Sequence, residues 1–209
     1  MHPTRLRLLE QGLAIAREKG LRGLKVREVA AQSEVNLGSF VYHFGSRDAY
    51  VAELVELWYE PLHEQLLRTA AAAEGRPAIE RLESAVMQVL DWVGGNAGIV
   101  AHLVADALAG EPRVREFARR LPGRHPTVML SLMRQAQAEG AIVAGDPLQL
   151  MFFLMTATGL PLVAFGILPV RADWLPGFDA IRAALADPQA VRQRLHWALR
   201  GIAAPAAST

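Results

Sequence analysis

Apolar residues recur along this chain at steps of three and four almost from end to end, the spacing that gathers them on one face of a helix. Leu6, Leu9, Leu13 and Ala16 make a first stripe, stopped by Gly20. Val51, Leu54, Val55, Trp58, Leu62 and Leu66 make a longer one. Pro61 lies inside it and predicts a kink, because proline lacks the backbone donor and crowds the preceding turn. A third stripe, Ile79, Leu82, Val86, Val89 and Val93, ends at Gly94-Gly95, and a fourth is Ile99, Val100, Leu103, Val104 and Ala107. Val114 and Phe117 open a fifth, which Leu121-Pro122-Gly123 interrupts; Val128, Met129, Leu132, Met133 and Ala136 resume it up to Gly140. The last runs through Val191, Leu195, Ala198, Leu199 and Ile202. Ser46, Glu111-Pro112, Asp146-Pro147 and Asp187-Pro188 supply capping side chains or first-turn prolines where helices should start. No useful length alternates with period two, so the expected fold is all-α, without a sheet. Pro169 to about Phe178 reads as a long loop, and the tail after Ile202 as frayed.

Two segments are much shorter than the rest. Val26 to Gln32 and Asn36 to Tyr42 are separated only by Ser33, Glu34 and Val35, the proportions of a helix-turn-helix. Asn36 can cap the second by accepting from the N–H of Gly38 or Ser39. Helices this short need outside support, here from the first helix and from Val35, Phe40 and Phe44.

Composition narrows the chemistry. The chain has 209 residues, 52% of them hydrophobic and 21% charged, enough for a sizeable core and too apolar for wholesale disorder. It has no cysteine, which removes disulfides, thiolate metal sites and cysteine nucleophiles and suits a reducing, cytoplasmic setting. The net charge of +1 hides an asymmetry: residues 1–50 hold eight bases against five acids, and the remainder fourteen against sixteen. A basic end on a near-neutral body suits a polyanion contact. Met1 to Arg7 is too polar for a signal peptide. Pro147 to Val170 holds no charge over 24 residues, long enough to span a bilayer. Its Gln149, Thr156, Thr158 and prolines, with no consistent charged flank, favour a buried or oligomer-forming helix instead. The six histidines are scattered without metal-ligand spacing, and no phosphate loop, dinucleotide fingerprint or nucleophile elbow is present. A membrane-associated or scaffold helical protein, and a helical enzyme, stand as the alternatives to a DNA-binding reading.

The run from Val26 to Asp48 resembles the DNA-binding signature of the tetracycline-repressor (TetR) family. Val29-Ala30, Val35, Gly38-Ser39, Tyr42-His43-Phe44 and Ser46-Arg47-Asp48 carry the resemblance, which covers roughly residues 4–60. Three positions depart from the family pattern: Glu34 stands where a turn glycine is usual, Leu37 where a polar or basic residue is common, and Val41 where tyrosine is common.

The resemblance implies a three-helix helix-turn-helix DNA-binding domain over residues 1–48 and a helical ligand-binding and dimerisation domain over 49–209. The recognition helix, Asn36 to His43, would lie in the major groove. Leu37, Gly38, Ser39, Tyr42 and His43 face outward: Gly38 permits close approach, Ser39 donates to a phosphate or base edge, Leu37 meets a thymine methyl, and Tyr42 and His43 reach the backbone. The helix has no Arg, Lys or Gln, so backbone and shape readout should outweigh direct reading. Arg47 matches a phosphate-contacting lysine of the family; Lys25 and Arg27 clamp phosphate, with Arg22 a weaker candidate. The expected activity is repression by a homodimer on a palindromic DNA operator, released by a small, mainly hydrophobic effector. Dimerisation is assigned to the helices starting near Pro147 and Pro188, where Phe152, Met155, Thr156, Gly159, Leu160 and Val163 form a face. The effector pocket is assigned to Trp58, Leu62, Met87, Leu90, Trp92, His102, Leu103, Asp106, Phe117, Met129, Met133, Phe152 and Thr156, with His102 and Asp106 a polar pair one turn apart. No cofactor, metal or membrane partner is expected. Effector binding would alter the tilt of the long helix from Ser46, and with it the distance between the two reading heads.

Overall fold

A computed structural model describes residues 2–72, 75–167 and 176–205. Within them the chain forms α1 (Pro3–Lys19), α2 (Val26–Gln32), α3 (Leu37–Phe44), α4 (Arg47–Ala72), α5 (Ala78–Gly95), α6 (Ala97–Leu108), α7 (Pro112–Arg120), α8 (His125–Ala138), α9 (Pro147–Thr158), α10 (Leu160–Ile167), α11 (Phe178–Ala186) and α12 (Pro188–Gly201), with a 3₁₀ turn at Leu121–Gly123. Among the described residues there is no strand, only an isolated bridge between Ile142 and Ala203. The expected all-α class is what the chain adopts. The long loop expected from Pro169 falls mostly outside the described residues, as does the end of the tail.

The helix starts obey local chemistry. Asn36 Oδ1 accepts from Ser39 N at 2.8 Å, Ser46 Oγ from Ala49 N at 3.1 Å, Asp146 Oδ1 from Leu148 N at 2.9 Å and Asp187 Oδ1 from Ala190 N at 2.8 Å. Each satisfies an N–H that the helix itself leaves open. Pro112, Pro147 and Pro188 sit in first turns, where a missing N–H costs nothing. The described part of the uncharged stretch, residues 147–167, is two helices. Pro161 cannot donate to the carbonyl one turn back, and α9 gives way to α10 at Gly159. Among the described residues no helix is long and apolar enough to cross a membrane.

The chain packs as two compact units. One joins Met1–Pro61 to Gly98–Leu121; the other joins Leu62–Ala97 to Pro122–Thr209. Packing thus groups α6 and α7 with the N-terminal helices, and Pro61 of α4 marks the change of unit. In the first unit α1 buries Leu8, Leu9, Gly12, Ile15 and Ala16. The stripe expected to face inward is displaced: Leu6 is exposed and Leu13 half-buried. Gly12 explains the register. A Cβ there would lie 1.8 Å from Tyr50 Oη, so α1 and α4 close at a point with no side chain, and Tyr50 donates to Leu8 O at 2.5 Å. Phe40, Phe44 and Tyr50 pack edge-on and tilted around it, with ring centroids 4.7–5.3 Å apart. In the second unit α5 packs on α8 and α12, and α9 on α8 and α12. Val191, Leu195, Ala198, Leu199 and Ile202 are all buried, as their spacing predicts.

Candidate nucleic-acid interface and effector groove

The turn between α2 and α3 is built on one unusual residue. Val35 N donates to Ala30 O at 3.0 Å and Glu34 N to Ala31 O at 3.1 Å, the paired bonds of a Schellman stop. That motif places Glu34 in the left-handed region, where glycine is the usual occupant; its φ is 55°, and among the described residues it is the one non-glycine with positive φ. The turn keeps its shape and the glutamate bears the strain, at about 1 kcal/mol.

The stop aims α3 outward. Phe40 and Phe44 turn inward, and the other side of the helix is left to solvent: Leu37, Gly38, Val41 and Tyr42 are exposed, with Tyr42 at 86%. Ser39 and His43 are half-buried beside them. His43 lies between two further rings, Tyr42 at 5.1 Å and His2 at 5.0 Å. Lys25 and Arg27, at the head of α2, are exposed. The expected contact residues therefore share one small unit, in which Lys25, Arg27, Leu37 and Tyr42 are open to solvent and Asn36 is engaged as a cap. Sequence reasoning missed Val41, treated only as a departure, and His2. Pro3 in the first turn of α1 was the available signal for His2, which caps that helix by accepting from Thr4 N at 3.3 Å.

Arg47 departs from its expected phosphate role. Its Nε donates to Leu24 O at 3.2 Å, its Nη2 to Leu21 O at 2.6 Å, and both Nη atoms lie 3.3–3.4 Å from the Glu111 carboxylate. Glu111, expected to cap α7, is buried and spends its side chain on Arg47 instead. Asp106 likewise spends its carboxylate on backbone rather than on His102, although both side chains converge at Gly20. It is buried and accepts from Leu21 N at 2.7 Å and Arg22 N at 3.1 Å. The loop between α1 and α2 is thus held by its N–H groups through Asp106 and by its carbonyls through Arg47. Both holds run to the end of α6 and the start of α7, within the first unit.

The other expected pocket residues scatter. Trp58 and Phe117 are buried in the first unit, where His102 and Leu103 are half-buried. In the second, Leu62, Leu90, Met129 and Met133 are buried, and Met87, Trp92 and Thr156 half-buried. Phe152 is 69% exposed: α9 turns Met151, Leu154 and Thr158 inward, so position 152 faces out. Described residues of the second unit line at least two grooves. One, of about 150 Å³, is lined by Leu90, Asp91, Leu162 and Val191 among others. The larger, of about 300 Å³, lies between the end of α4, α5 and α8, and includes none of the expected residues. Among the described residues no three or more His, Asp or Glu are grouped to hold a metal ion.

Comparison with known proteins bears on this geometry. Residues 8–54 match the family described as bacterial regulatory proteins, tetR family. The HTH-type transcriptional repressor DhaR of Mycobacterium sp. (strain GP1) is 29% identical over 115 residues, 52% of this chain and 58% of that protein. The HTH-type transcriptional repressor NemR of Escherichia coli (strain K12) is 26% identical over 153 residues, 71% of this chain and 76% of that protein. Among solved structures, the ketosteroid transcriptional regulator KstR2 of Mycobacterium tuberculosis superposes with a TM-score of 0.69 at 22% identity, covering 98% of this chain and 97% of its own. The reduced form of E. coli NemR gives 0.65 at 17% identity, over 99% and 100%. At these identities the superpositions speak for the fold.

Proposed function

We propose, from the match of residues 8–54 to the tetR family of bacterial regulatory proteins and the similarity to named repressors, that the chain is a member of that family: a ligand-responsive, DNA-binding transcriptional regulator that represses by occupying its site. The observation that carries this reading is the outward face of α3, which leaves Leu37, Val41 and Tyr42 without cover. An exposed aromatic and two exposed aliphatics on one short helix are poor design for a solvated surface and good design for a groove of thymine methyls and sugars. Lys25 and Arg27 supply phosphate contacts; Arg47 holds the loop ahead of α2 and sets the pose of the reading helix. DNA binding belongs to the first unit and effector binding to the second, with α4 continuous from one into the other. Names support repression, since both relatives above are called repressors. The reading places the protein in the cytoplasm, as a homodimer with two heads about 34–36 Å apart on a palindromic operator. Exposed groups of α9, α10 and α12 supply the dimer contact, through Phe152, Leu160 and Trp197 respectively. A small, mainly hydrophobic effector bound in the second unit shifts α4 and releases the DNA.

Fluorescence anisotropy tests this with a duplex from upstream of the chain's own gene. The expected result is saturable binding at near 0.15 M salt with two protomers per site, against much weaker binding to an unrelated duplex. Equal affinity for both duplexes overturns it.

A further inference from the structure

The larger of the two second-unit grooves above has a polar side that no described residue completes. Leu67, Val128 and Leu132 make its apolar wall, and Arg81 of α5 faces it together with Ser131 and Gln135 of α8. Arg81 Nη2 donates to Gln135 Oε1 at 2.7 Å, and Gln135 Nε2 to Ser131 Oγ at 3.2 Å. A guanidinium carries five N–H donors and a permanent charge. Among the described residues Gln135 is its one polar partner, and its Nε is buried with none. Among the described residues the charge has no ion-pair partner: Glu80, next to it in sequence, pairs with Arg76, and Glu139, just past α8, spends its Oε2 on Ala78 N at 2.7 Å. The contact with Gln135 is exposed, so the Nη donors stay open to solvent or ligand, while the buried Nε–H goes without a partner. A ligand that ends in an anion and continues as hydrocarbon removes that deficit.

We propose that this groove binds an amphipathic carboxylate. The carboxylate takes the unused donors of Arg81, with Ser131 beside it, and an unbranched apolar tail lies against Leu67, Val128 and Leu132. A volume of about 300 Å³ is at the small end of ligand pockets and fits a short acyl chain better than a polycyclic body. That this ligand is the effector rests on the regulator reading above; that the groove takes a carboxylate does not.

Isothermal titration of the full chain with octanoate, 1-octanol and octylamine tests the proposal, with operator affinity read in parallel. Octanoate should bind saturably, and the two other probes about tenfold more weakly or less. Arg81→Gln should remove that preference, lowering octanoate affinity about tenfold while leaving 1-octanol unchanged. Should Arg81→Gln fail to fold, Val128→Trp fills the groove from α8 with the guanidinium intact and should also abolish octanoate binding. Equal affinity for octanoate and 1-octanol, no octanoate binding, or octanoate binding untouched by Val128→Trp overturns the site. Octanoate binding that leaves a tight operator complex unchanged overturns the effector role alone. Carboxylate binding by a chain that shows no sequence-specific DNA binding supports the site and overturns the regulator reading.

Discussion

Glu34 holds a conformation that a residue with a Cβ adopts at a cost of about 1 kcal/mol relative to glycine. Glu34→Gly should therefore raise the urea midpoint of unfolding by an amount equivalent to at most about 1 kcal/mol, since glycine also loosens the unfolded chain. It removes a negative charge from the turn before the reading helix, so DNA affinity should rise most at low salt. A lower midpoint contradicts the strain assigned to this turn. Tyr42 has the opposite balance. At 86% exposure it supports no core, so Tyr42→Ala should leave thermal stability within about 0.5 kcal/mol of the parent and weaken DNA binding about tenfold. Parallel loss of stability and binding contradicts a contact role. His125 carries the clearest acid sensitivity. Burial, then the positive charges of His63 and Arg124, push its imidazole from the usual 6.5 down to about 4. The unfolded chain takes up this proton near pH 6.5 and the folded chain only near 4. Its contribution is thus complete above pH 6.5 and fades as pH falls toward 4, by about 3 kcal/mol in all. Urea midpoints at pH 7 and pH 5 should differ for the parent and differ less for His125→Gln; an unchanged difference contradicts the assignment.

Between elements, the junction of α6 and α7 with the loop before α2 is where residue type misleads. Arg47 reads in sequence as a cation at a helix start, and the resemblance assigns it to phosphate. Its actual partners, Leu21 O, Leu24 O and Glu111, come from more than twenty positions away on either side, which no local spacing reveals. The same holds for Asp106, whose neighbour by helix periodicity is His102 but whose Oδ2 accepts from Leu21 N and Arg22 N. Asp106→Asn keeps the shape and loses the charge, so stability should fall by about 1–2 kcal/mol in chemical unfolding. An unchanged midpoint would show that the two N–H groups find water equally well. Features that depend on adjacent residues were legible: the caps at Asn36, Asp146 and Asp187, the stop at Gly20, the interruption at Leu121-Pro122-Gly123. The inward face of α1 was not. Leu6, Leu8, Leu9, Leu13 and Ile15 offer two neighbouring apolar rows, and the choice between them is made by Tyr50 of α4 closing on Gly12. The reading face of α3 was legible because Phe40 and Phe44 had to be core; the groove at Arg81 was not, because its walls come from three separate helices.

At the scale of the whole molecule, the account needs two reading heads. Phe152 at 69% exposure lies with exposed Leu148 and Phe153 on α9, and Trp197 at 62% stands among Arg192, Gln193, His196 and Arg200 on α12, so large apolar groups are left uncovered on both helices. Phe152→Glu combined with Trp197→Glu should yield monomers in sedimentation equilibrium and reduce operator affinity about 100-fold, the loss expected when paired binding becomes single. Dimers that survive the double substitution place the interface elsewhere. The central claim, that α3 of each protomer reads a specific sequence, is tested most directly by letting the purified chain select fragments of its own genome near 0.15 M salt and sequencing what it retains. The account predicts one shared palindrome with half-sites about one helical turn apart. Retention that fades with salt and yields no common motif would contradict it, leaving only the attraction of a basic surface for a polyanion.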